Sequence, residues 1–172
     1  MKARVLVSSC LLGAEVRYHG GSARVDSQVL ARWQEEGRIV TVCPEVAGGL
    51  GTPRPPAEIQ HGDGLLVLRG AAKVMARTGA DVTPQFVAGA AHAARTAADS
   101  GVKVAVLKSN SPSCGTGAIY DGSFSGAKVS GDGVAAAALR DAGIQLFDES
   151  QLQEADAALR ALDDRWPVAD GR

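Results

Sequence analysis

The three cysteines of this chain are the residues best suited to chemistry. Cys10, Cys43 and Cys114 each lie beside glycine, serine or proline rather than inside a long apolar run. Thiolates prefer soft metals, which include zinc, copper(I) and the iron of iron–sulfur clusters. A closed structural zinc site usually has four ligands with close Cys-x-x-Cys pairs, and the sequence has neither a fourth cysteine nor such a pair. Three ligands leave one metal position open, and they fit either a [4Fe–4S] cluster with one free iron or a zinc ion that binds water.

Polar residues next to these cysteines are candidates for catalysis and substrate binding. Glu45 follows Cys43 by two residues, and a carboxylate at the mouth of a crevice can act as a general acid or base. Ser111 and Ser113 precede Cys114, and their hydroxyls can bind an anion or the sulfides of a cluster. The same residue types are also common in ordinary turns. The candidate substrate contacts are Ser9, Ser109 and Ser113.

Cationic and imidazole side chains near the cysteines have less specific roles. Arg17, Arg54 and Lys108 can balance the negative charge of thiolates, although such residues more often solvate the surface or form surface pairs. His19 is close in sequence to Cys10 and stays open as a further metal ligand.

Four short apolar runs bounded by loop residues predict buried strands. These runs are residues 3–9, 38–44, 102–109 and 144–148. Helical periodicity and capping residues predict helices between and after them. Three of these helices are residues 26–37, 83–100 and 132–143. In a fourth, last helix, Ser150 and Gln153 form a capping box, and the apolar stripe consists of Leu152, Ala155, Leu159 and Leu162. Residues 65–78 predict a β-hairpin turning at Gly70, while the glycine-rich residues 45–64 and 109–131 predict loops.

This order of elements predicts a three-layer, Rossmann-like α/β fold, with a mostly parallel sheet, helices on both faces and one β-hairpin insertion. Ligands of such folds bind outside the carboxyl ends of the strands. Cys10 ends the first strand, Cys43 ends the second, and Cys114 lies in the loop after the third. A single cysteine at a strand end is usually an inert core residue, but three at one edge favour a shared pocket.

Composition limits the class of protein. The chain has 172 residues with a net charge of −1, which predicts one domain over residues 1–165, a flexible tail over residues 166–172 and no nucleic-acid partner. No apolar run reaches the roughly 18 residues of a membrane span. The first residues indicate a strand rather than a signal peptide, so we expect a cytoplasmic protein with free cysteines. Its oligomeric state is not indicated.

Several motifs, in order, resemble a known bacterial family. They are "SSCLLGAEVRYHGG", "CPEVAGGLGTPRPPAEI", "KSNSPSCG" and "DGSFSG…GDGV". The family is that of the TudS-type thiouracil desulfurases, long known only as a domain of unknown function, and the resemblance spans nearly the whole chain.

The resemblance implies an enzyme with an oxygen-sensitive [4Fe–4S] cluster on Cys10, Cys43 and Cys114. It also implies Glu45 as the acid or base and Ser111 as a catalytic residue. The free iron would take the sulfur of a thiolated pyrimidine in a non-redox reaction that yields uracil and hydrogen sulfide. One position departs from the family pattern, because His19 stands where aspartate is common, and this departure bears on the choice of substrate.

Two other functions stay open. A cluster- or zinc-binding sensor would use the same thiols to signal through a partner, although the chain lacks a recognisable DNA-binding helix pair. A persulfide carrier would instead use one thiolate as a nucleophile. Iron content and sulfide release distinguish these functions from the desulfurase.

Overall fold

The structure is a computed structural model that describes residues 2–165. The predicted flexible tail, residues 166–172, lies outside the described residues. Within the described part, no helix is both long and apolar enough to cross a membrane.

A four-stranded sheet forms the centre of the fold. Its strands are β1 (Val5–Ser8), β2 (Ile39–Val42), β5 (Val104–Leu107) and β8 (Gln145–Asp148). All neighbours are parallel, in the spatial order β2-β1-β5-β8. The four buried runs of the sequence therefore form the four strands, as predicted.

Helices cover both faces of this sheet. On one face, α4 (Thr83–Ser100) and α5 (Val134–Asp141) pack on Leu6 and Ala105. On the other face, α1 (Gln28–Glu35) and α6 (Leu152–Arg165) pack on Val5 and Val104. Successive side chains of a strand point to opposite faces, so a strand covered on both sides is apolar at every position. This arrangement confirms the predicted three-layer α/β fold.

Two antiparallel hairpins extend from the sheet. β3 (Ala57–Gln60) pairs with β4 (Lys73–Ala76), and β6 (Ala118–Tyr120) pairs with β7 (Lys128–Ser130). Both β3 and the second hairpin lie in segments that the sequence predicts as loops. Their strands are only three or four residues long, and glycine and proline surround them, so no periodic signal marks them.

The predicted hairpin over residues 65–78, turning at Gly70, is wrong: only its second strand is present, as β4, and this strand pairs with β3. Residues Gly64–Leu68 form a helix, α3, rather than a strand. The Asp63 carboxylate accepts a hydrogen bond from the Leu66 N–H at 3.0 Å, which caps the helix. A short apolar run without clear periodicity suits a helix as well as a strand, and this cap decides the outcome.

Another local prediction fails at the start of α6. Ser150 donates its N–H and its hydroxyl to Asp148 and therefore does not cap the helix. The helix begins at Leu152. By contrast, Ser27 does cap α1, because its hydroxyl accepts the Val29 N–H at 3.2 Å.

A short helix, α2 (Pro44–Ala47), follows β2 and packs closely against α4. A Cβ atom at Gly89 of α4 would lie 2.0 Å from the Pro44 carbonyl oxygen, and one at Gly48 would lie 2.0 Å from the Gln85 carbonyl oxygen. Only glycine permits this approach of the two backbones. The contact fixes the position of α2, and with it the position of Cys43 and Glu45 at the end of β2.

Candidate active site

The three cysteines line one cavity of about 540 Å³ at the carboxyl ends of the strands. Cys10 lies in a single 3₁₀ turn, Ser9–Leu12, that directly follows β1. Cys43 is the residue before α2, and Cys114 lies in the loop after β5. Because β2, β1 and β5 are adjacent in the sheet, residues far apart in sequence meet at one edge. The predicted pocket of three thiols is present.

All three thiols are free, and burial shapes their acidity. Burial raises the pKa of Cys10, and the neighbouring Arg17 guanidinium partly opposes that rise. Burial also raises the pKa of Cys43, while N–H groups of Val46 and Glu45 lower it. Cys114 is only 5% exposed, and burial raises its pKa to about 12. Without a cofactor these groups are therefore neutral thiols near pH 7, and a metal must displace their protons.

Backbone hydrogen bonds hold the loop that carries Cys114. The Ser111 hydroxyl accepts the N–H groups of Ser113 at 3.2 Å and Cys114 at 3.1 Å. The first turn of α5 contributes from the other side, because the Val134 N–H donates to the Pro112 carbonyl at 2.8 Å. The loop is thus a fixed support for the thiol rather than a mobile segment.

Glu45 points into the same cavity and is held at both oxygens. The Ser113 hydroxyl donates to Glu45 Oε2 at 2.9 Å, and Arg54 Nε donates to Oε1 at 3.2 Å. A further contact joins the Ser113 and Ser111 hydroxyl oxygens at 3.0 Å. The Arg54 side chain is 8% exposed and the Glu45 side chain 17% exposed, so water screens this ion pair only weakly.

Lys108 and Ser109 form part of the cavity wall at the end of β5. Glu149, which follows β8, accepts hydrogen bonds from Lys108 Nζ at 2.6 Å, the Ser109 N–H at 2.8 Å and the Ser109 hydroxyl at 2.7 Å. Burial alone would raise the pKa of Glu149, but these hydrogen bonds hold it below its ordinary value. Glu149 therefore anchors this part of the wall as a carboxylate.

The structure brings every sequence-predicted site residue except His19 to this cavity. Its walls include Ser9, Cys10, Cys43, Glu45, Ser109, Ser111, Ser113 and Cys114, together with Arg17, Arg54 and Lys108. His19 does not line the cavity. Its side chain is exposed at the surface and accepts the Gly21 N–H at 3.0 Å.

Sequence reasoning missed the wall that the two hairpins supply. Glu58 on β3, Arg77 after β4, Tyr120 on β6 and Phe124 between β6 and β7 also line the cavity. These residues come from distant segments, and no spacing rule connects them. The only available signal was the "DGSFSG" motif, which contains Phe124.

The chemistry of the donor set also bears on the cofactor. Three thiols line the cavity, and thiolates bind soft metals such as zinc and the iron of iron–sulfur clusters. A [4Fe–4S] cluster held by three cysteines keeps one iron without a protein ligand, so the residues present fit such a cluster.

Comparison with known proteins gives consistent results. The family model described as 2-thiouracil desulfurase matches residues 5–151. An uncharacterised protein of Bacillus subtilis, YbbK, is 45% identical over 150 residues, which cover 87% of this chain and 98% of that protein. A solved [4Fe-4S]-dependent thiouracil desulfidase, TudS, is 45% identical with a TM-score of 0.85, and the match covers 93% of this chain and 99% of that one.

Proposed function

The chain belongs to the 2-thiouracil desulfurase family, and from this membership we propose that it removes sulfur from thiolated uracils with a [4Fe–4S] cluster. The similar solved enzyme, TudS, is a [4Fe-4S]-dependent thiouracil desulfidase. One observation in this chain carries the proposal: three thiols and one carboxylate, from Cys10, Cys43, Cys114 and Glu45, line a single cavity at the sheet edge.

Cys10, Cys43 and Cys114 would hold the cluster. All three line the cavity, and their sulfur atoms are the soft donors that the iron of such a cluster binds. When bound, the cluster supplies an iron without a protein ligand, which acts as a Lewis acid toward the soft thiocarbonyl sulfur. The neighbouring Arg17 guanidinium lowers the pKa of the Cys10 thiol, and its positive charge offsets the negative charge of the thiolates.

The proposed reaction converts thiouracil and water into uracil and hydrogen sulfide. Glu45 Oε2 accepts a proton from the water that adds to the thiocarbonyl carbon. A proton then passes from Glu45 to sulfur, and the carbon–sulfur bond breaks with its electron pair on sulfur. The remaining hydroxyl proton of the adduct passes through Glu45 to the released hydrosulfide, which leaves uracil, hydrogen sulfide and the Glu45 carboxylate. Sulfur has the same oxidation state in the thiocarbonyl and in hydrogen sulfide, so the reaction requires no external reductant.

Ser111 has a catalytic role in this proposal, through the chain of hydroxyls that ends at Glu45. Ser111 Oγ lies 3.0 Å from Ser113 Oγ, which donates to Glu45 Oε2 at 2.9 Å. These two hydroxyls carry a proton between the cavity and the Glu45 carboxylate. Ser9 and Ser109 contact the polar edge of the base, whereas Ser113, which is 1% exposed, acts through its hydrogen bond to Glu45. Ser109 Oγ donates to Glu149 and accepts from Lys108 Nζ at 3.0 Å, which leaves one lone pair for a ring N–H.

The buried thiols argue against the persulfide carrier. A nucleophilic cysteine needs an accessible thiolate with a lowered pKa. Cys10 and Cys114 are 8% and 5% exposed, Cys43 is half-buried, and the pKa of each of the three is raised.

An anaerobic assay tests the proposal. Protein reconstituted with iron and sulfide is given 2-thiouracil or 4-thiouracil without a reductant, and uracil and sulfide are quantified. We expect the two products in equal amounts. Glu45→Gln should retain its iron while kcat falls about 10²- to 10⁴-fold, as is typical for a general acid or base. Glu154→Gln, on the first turn of α6, is the matched control and should match wild type.

Three results would count against it. Fully loaded protein that releases no sulfide from any thiolated pyrimidine would refute the desulfurase. A stoichiometric requirement for a reductant would refute the hydrolytic chemistry. Loss of iron in Glu45→Gln would make Glu45 a structural residue instead.

A further inference from the structure

Phe124 has an unusual backbone conformation at the wall of the cavity. It lies in the turn between β6 and β7 with φ of 56°, in the left-handed region. A bulky aromatic residue rarely adopts this conformation. Strained backbone conformations of this kind persist only where the surrounding structure enforces them, often at ligand-binding positions. The half-buried Phe124 ring lines the same cavity as the three thiols.

Glu58 enforces this conformation. Its carboxylate is 8% exposed, and Oε1 accepts the N–H of Gly122 at 3.0 Å and the N–H of Phe124 at 3.1 Å. Gly122 packs against β3 so closely that a Cβ would lie 2.7 Å from the Ile59 carbonyl oxygen. The turn is therefore bound to β3 through the N–H groups of Gly122 and Phe124. The Glu58 carboxylate holds the turn, and the turn sets the orientation of the Phe124 ring.

Arg77 completes this wall. Its guanidinium carbon lies 5.3 Å from the centre of the Phe124 ring, which is within the range of a cation–π contact. Arg77 also lines the cavity, and so does Tyr120. This wall is aromatic and cationic, whereas the thiols and Glu45 form another part of the cavity lining. A flat, polar-edged aromatic ring is the chemical class that such a pair of walls accommodates.

We propose that Phe124 is the stacking platform for the pyrimidine ring and that Glu58 is the residue that positions it. The proposal deepens the proposed function, on which it rests, by assigning ring recognition to the β6–β7 turn. Stacking selects planar aromatic rings, so Phe124 sets a preference for thiolated pyrimidines over non-planar thioamides. Phe124 acts on binding of the ring, and the chemistry at sulfur belongs to the other wall.

The first test compares 2-thiouracil with 5,6-dihydro-2-thiouracil, which is not planar. Stacking of a base on an aromatic side chain corresponds to roughly 5- to 150-fold in affinity. We expect Phe124→Ala to raise KM for 2-thiouracil by about that factor, while KM for the dihydro compound changes by less than about threefold. We expect kcat and iron content to stay within about twofold of wild type, because Phe124 is assigned to binding of the ring and not to the chemistry at sulfur or to the cluster. Phe124→Tyr should keep the preference, Phe124→Leu should lose it, and the exposed Val129→Ala on the same hairpin should match wild type.

A second test examines the link between the two residues. Glu58→Ala should raise KM for 2-thiouracil as Phe124→Ala does, and the double variant should be no worse than Phe124→Ala alone, because residues acting through one another are not additive. Glu58→Gln, which keeps an acceptor oxygen, should restore most of the affinity. Additive effects would overturn the positioning role of Glu58.

Equilibrium dialysis with radiolabelled 2-thiouracil separates this proposal from the proposed function. If wild type binds the base, Phe124→Ala does not, and no sulfide is released, the platform stands and the desulfurase fails. If wild type releases sulfide and Phe124→Ala binds and discriminates as wild type does, the platform fails and the desulfurase stands. An equal rise in KM for the planar and non-planar compounds would also overturn the platform.

Discussion

Arg54 offers the sharpest test of how the site is built. Its guanidinium makes four hydrogen bonds: Nε to Glu45, Nη2 to the Val16 carbonyl, and Nη1 to the Gly51 carbonyl and the Thr52 hydroxyl. The residue thus joins the segment after β1, the loop after α2 and the proposed catalytic carboxylate. We predict that Arg54→Met destabilises the protein and releases Glu45.

The magnitude follows from burial. Because both side chains of the pair are less than one-fifth exposed, removal of the arginine leaves a nearly enclosed carboxylate without its cation. Breaking a buried pair in this way costs about 3–5 kcal/mol. In a domain of this size each kcal/mol lowers Tm by about 2–4 °C, so we expect a fall of roughly 6–20 °C. Combining Arg54→Met with Glu45→Gln removes the orphaned charge and should recover at least about 1 kcal/mol.

The assay is urea unfolding of the reduced, cofactor-free protein, followed by circular dichroism, so that metal binding does not enter the equilibrium. Arg95→Met, on the exposed side of α4, is the control and should change the free energy of unfolding by less than about 0.5 kcal/mol. A loss below about 1 kcal/mol for Arg54→Met would show that water screens the pair like a surface ion pair. Strict additivity in the double variant would show that the two residues are not coupled.

Further predictions concern packing and pH. A Cβ at Gly133 would lie 2.6 Å from the Ser113 carbonyl oxygen. Gly133→Ala should therefore lower the free energy of unfolding in urea by about 1–3 kcal/mol and lower the iron content. Gly51→Ala is the control and should change neither, because its Cβ meets nothing closer than 4.0 Å. Although burial would raise the pKa of Asp156, hydrogen bonds from Trp33 and Arg32 hold it below its ordinary value. Its stabilising contribution is therefore present above about pH 4 and is lost as pH falls through the lowered pKa. Asp156→Asn should be less stable than wild type at pH 7 and should lose less stability on acidification; equal acid sensitivity of the two proteins would contradict this.

The sheet and the grouping of the thiols could be predicted because they depend on local signals. Val5–Ser8 and Val104–Leu107 are short apolar runs with no helical period, and parallel strands bring their carboxyl ends to one edge. Cys10, Cys43 and Cys114 could therefore be placed at one edge without any knowledge of their distances.

The part of the cavity wall that the two hairpins supply could not be predicted because it depends on long-range contacts. Glu58 and Phe124 are 66 residues apart, and the positive φ of Phe124 runs against the intrinsic preference of phenylalanine. The buried ion pair of Arg54 and Glu45 could not be predicted for a related reason. Arginine in a loop rich in glycine and proline reads as a surface residue, and only the approach of three separate segments buries it.

The measurement that tests the central claim most directly is the iron and sulfide content of anaerobically reconstituted wild type and of Cys10→Ser, Cys43→Ser and Cys114→Ser. The chain has no other cysteine that could substitute as a ligand. We predict about four irons and four sulfides per chain in wild type and almost none in each variant. Full iron content in any one variant would remove that cysteine from the site, and a colourless wild type that binds one zinc ion would contradict the cluster itself.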